Sequence, residues 1–490
     1  MSLPDDDDVA RLRACHATLE AILADRTLLD ALDPEARRAL VIAAGRVSRP
    51  HRAELRAASK ARRRSEKREA RSADEAKLAR TGIRRLRAEV AYPTPPALPA
   101  PDEAPAAELG EARKCYVCKA AYREVHAFYD QLCPPCAALS YERRMRTADL
   151  SGRIAVVTGA RVKIGYQAAI KLLRAGAAVV VTTRFPADAA RRYAAEEDFE
   201  AWRDRLSIYG LDLRHTPSVE RFSAHLDRTL PRLDFLLNNA CQTVRRPAGF
   251  YQHLLDHEAR PDLDEPARAL LEGHRALREG ALARRDAPAL PDSAALSQVA
   301  LLREDLGRDL RLFPDGRLDA DGQQVDLRDR NSWRLALDEV PTVELLEVQL
   351  VNAVAPYVLN GRLRPLMRRT PERDKHIVNV SAMEGQFYRN FKTDKHPHTN
   401  MAKAALNMMT RTSAPDYLTD GIHMNSVDTG WVTDEDPHEV AARKVEIHGF
   451  HPPLDVVDGA ARIVDPIFDG FLSGEHVYGL FLKDYRPVPW

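Results

Sequence analysis

The apolar, β-branched run IAVVT at residues 154–158 ends in Gly159 and leads through Lys163, Ile164 and Gly165 into the helical pattern AAIKLLRAGA. A run with so little polar alternation predicts a strand buried on both faces, as in a parallel sheet. Strand, tight turn and helix in that order aim a helix's free amides and positive dipole end at an anion, for which a dinucleotide pyrophosphate is the natural ligand. Further segments follow in the order of one fold: AVVVTTR at 178–184, YGLDL at 209–213, FLLNNAC at 235–241, HIVNVSA at 376–382, AKAALNMMTRT at 402–412 and MNSVDTGWVT at 424–433. The expected fold class is α/β, a doubly wound parallel sheet.

This series resembles the short-chain dehydrogenase/reductase family, with residues 151–485 as the Rossmann-like core. By that resemblance Gly159 and Gly165 shape the phosphate turn together with Thr158, Arg161, Lys163 and Ile164. Asp212 and Leu213 sit beside the adenine, Asn238, Asn239 and Ala240 support the ribose, and Val432 and Thr433 belong to the segment that closes over the nicotinamide. Lys163 replaces the family's usual middle glycine, as a basic residue does in pteridine reductases. An acidic residue after the second strand would hold the ribose 2′-hydroxyl of NAD, whereas an arginine suits a 2′-phosphate. The chain has Arg184 there, with Arg161 and Lys163 in the preceding turn, so NADP(H) is expected in preference to NAD(H).

The resemblance implies a catalytic set of Asn, Ser, Tyr and Lys. Asn352 and Lys403 match, the latter also as a cofactor-binding residue. Thr399 stands where the tyrosine is usual, four residues before Lys403, and Ala382 stands where the serine is usual, with Ser381 one step earlier. Successive strand side chains point to opposite faces, so Ser381 replaces the missing hydroxyl only across a bulge. His398, His396, Tyr388 and Glu384 are the nearby candidates for another donor, histidine having the appropriate pKa range; each reads as a plain loop residue first, and His398 is the foremost of the four as an acid. Asp428, Trp431 and Glu435 are pocket-wall candidates, Trp431 equally a core residue, and Cys241 reads as a small buried residue before it reads as a nucleophile.

Between Cys241 and the helix bearing Asn352 the chain runs on far beyond a normal strand-to-helix connection, which marks an insertion over about 242–342. ARALLEGHRALREGALARR reads as solvated helix, and FPDGRLDADGQQVDLRDRNSW carries hairpin turn signals at Asp315, Gly316, Asp321 and Gly322. An insertion at the carboxyl edge of the sheet is expected to be a substrate lid ahead of a partner-binding element.

Cys115-x-x-Cys118 and Cys133-x-x-Cys136 have the spacing of four-thiolate zinc modules, which predicts a closed, structural zinc site within a module over 111–146. Residues 1–90 read as a helical, basic region: 52–90 carry fourteen Lys or Arg against six Asp or Glu, and the two amphipathic helices before them need a partner surface. Residues 91–110, with six prolines, read as a semi-rigid linker.

A formal net charge of +1 gives no overall drive toward nucleic acid or anionic membrane. Nucleic-acid contact by the basic helix is therefore an option behind a solvated or coiled helix, and no membrane partner is expected. The start MSLPDDDD lacks a cationic flank with an apolar stretch, so a cytoplasmic protein is expected. The remaining partner expectations are a small-molecule substrate of unread type and, by the resemblance, a homo-oligomer. Two functions fit: an NADP(H)-dependent oxidoreductase with a remodelled proton path, or an inactive dinucleotide-binding sensor or scaffold.

Overall fold

The computed structural model describes residues 6–88, 107–259, 262–282, 291–307, 309–319, 321–388, 392–448 and 451–490. The chain divides into two units, Met1–Ala76 and Lys77–Trp490.

The first unit is helical. Asp33 caps the helix Pro34–Ser48, its carboxylate accepting from the Glu35 and Ala36 amides, and Pro34 fills the first turn where no amide is needed. That helix buries none of its residues, and Leu12, Leu23, Val41, Ile42 and Val47 are exposed. The basic helix runs from Arg52 to Ala79.

In the second unit the strands are β1 (Ala107–Lys114), β2 (Ala121–Val125), β3 (Ile154–Thr158), β4 (Ala178–Thr183), β5 (Leu206–Gly210), β6 (Phe235–Asn238), β7 (Lys375–Ser381), β8 (Ile422–Asp428), β9 (Phe481–Lys483) and β10 (Arg486–Val488). The fold class is the one read from the sequence. Eight strands form a sheet in the order β10-β9-β8-β7-β6-β3-β4-β5, parallel from β5 through β9. β10 pairs antiparallel with β9, so the sheet extends past residue 485. Strand order reverses between β3 and β6, where open α/β sheets leave a crevice at their carboxyl edge.

The apolar strands need cover on both faces. On one face Val157, Val179, Val181 and Leu237 pack with helices Lys163–Arg174 and Val456–Ser473; on the other Val156, Leu236 and Ile377 pack with Thr216–Thr229, Ala355–Met367 and Pro397–Thr419. Among the described residues one helix, Thr342–Met367, is long and apolar enough to cross a membrane; here Leu359, Leu363 and Leu366 are fully buried in the sheet's cover.

β1 and β2 make a separate two-stranded sheet. The expected linker therefore stops short of residue 107, because Ala107 pairs with Val125; residues 91–106 lie outside the described residues. Gly82–Ala88 is a separate short helix whose Ile83 packs among the cysteine module's apolar residues.

The insertion re-enters the core at Thr342. Its helices Glu265–Ala269 and Glu272–Leu282 are less solvated than their composition suggested. Ala267, Leu270 and Leu277 are buried, and His274 Nδ1 accepts from the Gly210 amide at 3.3 Å. The hairpin signals are realised in a bridge between Leu318 and Gln324, with Gly316 and Gly322 at φ of +72° and +67°.

Candidate functional site

The turn after β3 is built by close approach. Gly159 takes a φ of +67°, and a Cβ there would lie 2.8 Å from the Ala240 Cα. Lys163 takes a φ of +57°, so it holds the left-handed conformation that a glycine adopts readily while adding an ammonium group. A Cβ on Gly165 would meet Asn239 Nδ2 at 2.2 Å, so the helix starts tight against β6 only because that residue is glycine. Val162 gives this helix no side-chain cap, which keeps its first amides available to an anion.

Asn239 and Ala240 tie this turn down: Asn239 Nδ2 donates to the carbonyls of Thr158 (3.0 Å) and Gly159 (3.2 Å), and the Ala240 amide donates to Thr158 Oγ1 (3.0 Å). Asn238 points into the sheet's cover instead, donating at 2.8 Å to both Asn360 Oδ1 and Asn379 Oδ1. Asn379 continues to Thr410 Oγ1 at 2.9 Å. The side chains of Asn238 and Asn379 thus bind core elements.

Arg184 follows β4. Its Nη2 donates to the Tyr251 hydroxyl at 2.8 Å and its guanidinium lies over that ring at 4.6 Å; among the described residues no carboxylate forms a salt bridge with it. Asp212 is grasped by Arg214 at 2.7 Å; burial alone would raise its carboxyl, but that guanidinium holds it below its usual value. Leu213 is buried beside it.

Asn352 lies in the π-helical turn Leu350–Val354, a geometry found often at functional sites. Lys403 and Thr399 lie one turn apart on Pro397–Thr419, both buried. Lys403 Nζ donates to the Val380 carbonyl at 2.7 Å, which sets the ammonium at the carboxyl end of β7. The Thr399 hydroxyl is buried and has no hydrogen-bond partner among the described residues; the same holds for Ser381. β7 and β8 pair without a register shift from Lys375 to Ser381, and Ser381 lies opposite Asp428, so no bulge turns Ser381 into the position of Ala382.

His398 faces Glu344, Nε2 to Oε1 at 3.5 Å, both almost wholly buried. His396 adopts a φ of +42° and stacks on Trp333 of the insertion at 3.8 Å; burial pulls its pKa down to about 4. Asp428 accepts from the amides of Met383 (3.0 Å) and Gly430 (2.6 Å); burial raises its carboxyl, opposed by Lys483 at 3.7 Å. One reading is corrected: Cys241 is exposed, because β6 ends at Asn238; for Trp431, read equally as wall or core, 43% exposure excludes the core. Val432 is buried, and Thr433 Oγ1 donates to Glu435 at 2.7 Å.

Glu347 ties the root of the insertion to the core, which the motif reading missed. Its carboxylate accepts from Arg214 at 2.7 Å and from Gln242 and Arg245 at 3.0 Å, and Arg245 reaches Asp305 of the insertion at 2.7 Å. The signal was present: Glu344 and Glu347 stand among the apolar residues of TVELLEVQL, and a carboxylate on a buried helix face needs cations.

The four cysteines converge, every sulfur lying within 4.8 Å of the others. Tetrahedral zinc bonds of about 2.3 Å would set sulfurs about 3.8 Å apart, so the cluster has the dimensions of a metal site. Lys119, at a φ of +63°, turns the first CxxC loop so that the Cys115 amide donates to the Ala120 carbonyl at 2.8 Å. The module packs on the segment after β8: Cys115, Cys133 and Cys136 share an apolar cluster with Val432, Leu454 and Val457, and the Tyr116 hydroxyl accepts from the Trp431 amide at 2.9 Å.

Comparison with known proteins agrees with this architecture. The short chain dehydrogenase family profile matches residues 153–256, and the enoyl-(acyl carrier protein) reductase profile matches 333–448. An uncharacterized protein of Acanthamoeba polyphaga mimivirus is 31% identical over 372 residues, 73% of this chain and 71% of that protein. The dehydrogenase/reductase SDR family member 13 of Bos taurus is 38% identical over 120 residues, 23% of this chain and 29% of that relative. Among solved structures, the Pseudomonas aeruginosa RhlG/NADP active-site complex aligns with a TM-score of 0.43 at 18% identity, covering 68% of this chain and 95% of that one. The chain belongs to the short-chain dehydrogenase/reductase family.

Proposed function

We propose that this protein is an NADP(H)-dependent oxidoreductase with an altered proton path. The observation that carries the reading is Arg184: a guanidinium after the second strand of the dinucleotide crevice, bonded to the Tyr251 hydroxyl and to no carboxylate among the described residues. Gly159 to Gly165 would hold the pyrophosphate, Arg184 the 2′-phosphate, and Lys403 the ribose beside the nicotinamide. The bound dinucleotide supplies or accepts the hydride.

The weak point of ordinary carbonyl reduction is the acid. A phenol titrates near ~10 and an aliphatic hydroxyl nearer water's ~15.7, so with about half of that gap expressed in the transition state Thr399 costs roughly 4 kcal/mol, about a thousandfold in rate. An iminium or conjugated acceptor, which needs little or no proton donation, is the substrate class that fits. Stopped-flow oxidation of bound NADPH against carbonyl, imine and enone panels tests this.

Ala382 and Thr399 support a second reading, a dinucleotide-binding sensor or scaffold without turnover. NADPH binding with no oxidation by any panel member would favour it. The metal reading is zinc in a structural role: four thiolates fill its tetrahedron and leave no position for substrate. Nucleic-acid contact by the basic amino-terminal helix stays behind these proposals, and it predicts steeply salt-dependent affinity lost on removing residues 1–110.

A further inference from the structure

The insertion does more than overhang the substrate end of the crevice. Glu258 caps the helix Pro186–Ala194, accepting from the Ala187 (3.1 Å) and Asp188 (2.9 Å) amides, and Ser293 Oγ donates to the Arg184 carbonyl at 2.9 Å. The hairpin tip comes to the phosphate turn, Gln323 accepting from Arg161 at 3.3 Å and Asp321 lying 3.9 Å from Lys163. Inserted residues therefore surround the adenosine end of the crevice.

The charges there do not balance locally. Arg161 and Arg184 from the core lie against Phe185, at 5.6 and 5.5 Å, and Arg246 from the insertion lies over Phe250 at 4.5 Å. Tyr251 contacts both of those rings, at 5.4 and 4.8 Å, so three guanidiniums gather on one aromatic patch. Arg161 has Asp188, which it shares with Arg192. Arg246 has a buried Nε without a hydrogen-bond partner, and Asp326, 3.7 Å away, is already gripped by Arg328 at 2.7 Å. Burial would raise the Tyr251 phenol, yet Arg184, Arg246 and Arg161 together outweigh burial and hold it below its usual value, the mark of a net positive surrounding. Its oxygen accepts from Arg184, which leaves its proton to be donated.

We propose that the insertion completes a phosphomonoester pocket: Arg246 and Tyr251 join Arg184 and Arg161 around the 2′-phosphate of the dinucleotide, so that the insertion is a cofactor clamp and sets the preference for NADPH. This rests on the dinucleotide reading above. A dianionic phosphate supplies the missing negative charge and has acceptors for the three guanidiniums and the phenol.

The test is fluorescence titration of the full-length protein with NADPH and NADH, with 2′,5′-ADP and 5′-ADP as competitors. Charged hydrogen bonds to phosphate are strong, so Arg246→Gln is expected to weaken NADPH by about tenfold or more and Tyr251→Phe by a few-fold, with NADH changed less than about twofold. The competitor 2′,5′-ADP should win over 5′-ADP by at least about tenfold. Hydrogen exchange on the unmutated protein needs no variant to fold, and NADPH should slow exchange across 246–258 and 317–319 more than NADH does. If both variants keep full NADPH affinity, or NADPH protects only the turn at 159–165, the clamp is wrong while the dinucleotide reading stands. If the unmutated protein binds neither NADPH nor NADH, the dinucleotide reading fails and the clamp falls with it.

Discussion

Asn352 and Gln242 exchange two hydrogen bonds: Asn352 Oδ1 accepts from the Gln242 amide at 2.8 Å, and its Nδ2 donates to the Gln242 carbonyl at 3.1 Å. The first residue of the insertion is thereby fixed to the helix that carries a catalytic position of the family. Glu347, one turn before the π-helical segment, binds Gln242 by its side chain and Arg245 as well. The root of the insertion is held by buried polar contacts, each costly to break without a replacement partner.

Arg184→Asp should weaken NADPH by about a hundredfold and leave NADH much less affected, because it exchanges a phosphate donor for a charge that repels phosphate and accepts from a ribose hydroxyl. Paired binding titrations check this, and equal losses for both nucleotides contradict the assignment of Arg184.

Restoring the acid should restore carbonyl chemistry. Thr399→Tyr combined with Ala382→Ser is expected to raise NADPH-dependent ketone reduction by at least about tenfold, since a phenol recovers part of the roughly 4 kcal/mol lost. Lys403→Ala should abolish turnover in either background. The assay is steady-state NADPH oxidation, and a double variant that folds, binds NADPH and shows no gain speaks for the sensor reading.

Metal analysis should return about one zinc per chain. Replacing Cys118 by Ser should lower that content and, because the module packs on Val432 and Leu454 and bonds the Trp431 amide through Tyr116, loosen the segment after β8. Hydrogen exchange over 428–435 reads the effect; a metal-free protein with unchanged protection there would refute the coupling.

His396 gives a pH dependence. Its pKa is about 4 in the folded chain against 6.5 for the ordinary group, so the unfolded chain takes up a proton first as pH falls. Its contribution is intact above about pH 6.5 and declines toward pH 4, by about 2 kcal/mol between pH 7 and 5. His396→Asn, which tolerates the left-handed backbone, should flatten this part of the profile in urea unfolding at the two pH values. An unchanged slope would remove His396 as its source.

The sheet and the phosphate turn were legible because buried parallel strands write themselves as long apolar runs, as in AVVVTT, and because Gly159 and Gly165 leave no room for a side chain. The positions of Asn352, Lys403, Thr399 and Ala382 came from the resemblance to the family's motifs. What escaped the reading depends on contacts distant in sequence. Tyr251 is an ordinary aromatic until Arg184, 67 residues earlier, is laid on its face. Cys241 read as buried because small cysteines usually are, and only the chain's exit from the sheet after Asn238 exposes it. The helix Glu272–Leu282 read as solvated because Ala276 and Leu277 are diluted by charge; its buried face is defined by β5 and His274.

Lys163 couples two properties that most phosphate turns keep apart. Its main chain sits where a Cβ is penalised, while its side chain brings charge to the mouth of the crevice. Substituting glycine would relax the first and delete the second, so under the proposed dinucleotide reading any gain in thermal resistance would arrive together with a loss of grip on polyanions. Under that reading, sturdiness and affinity move in opposite directions at a single side chain.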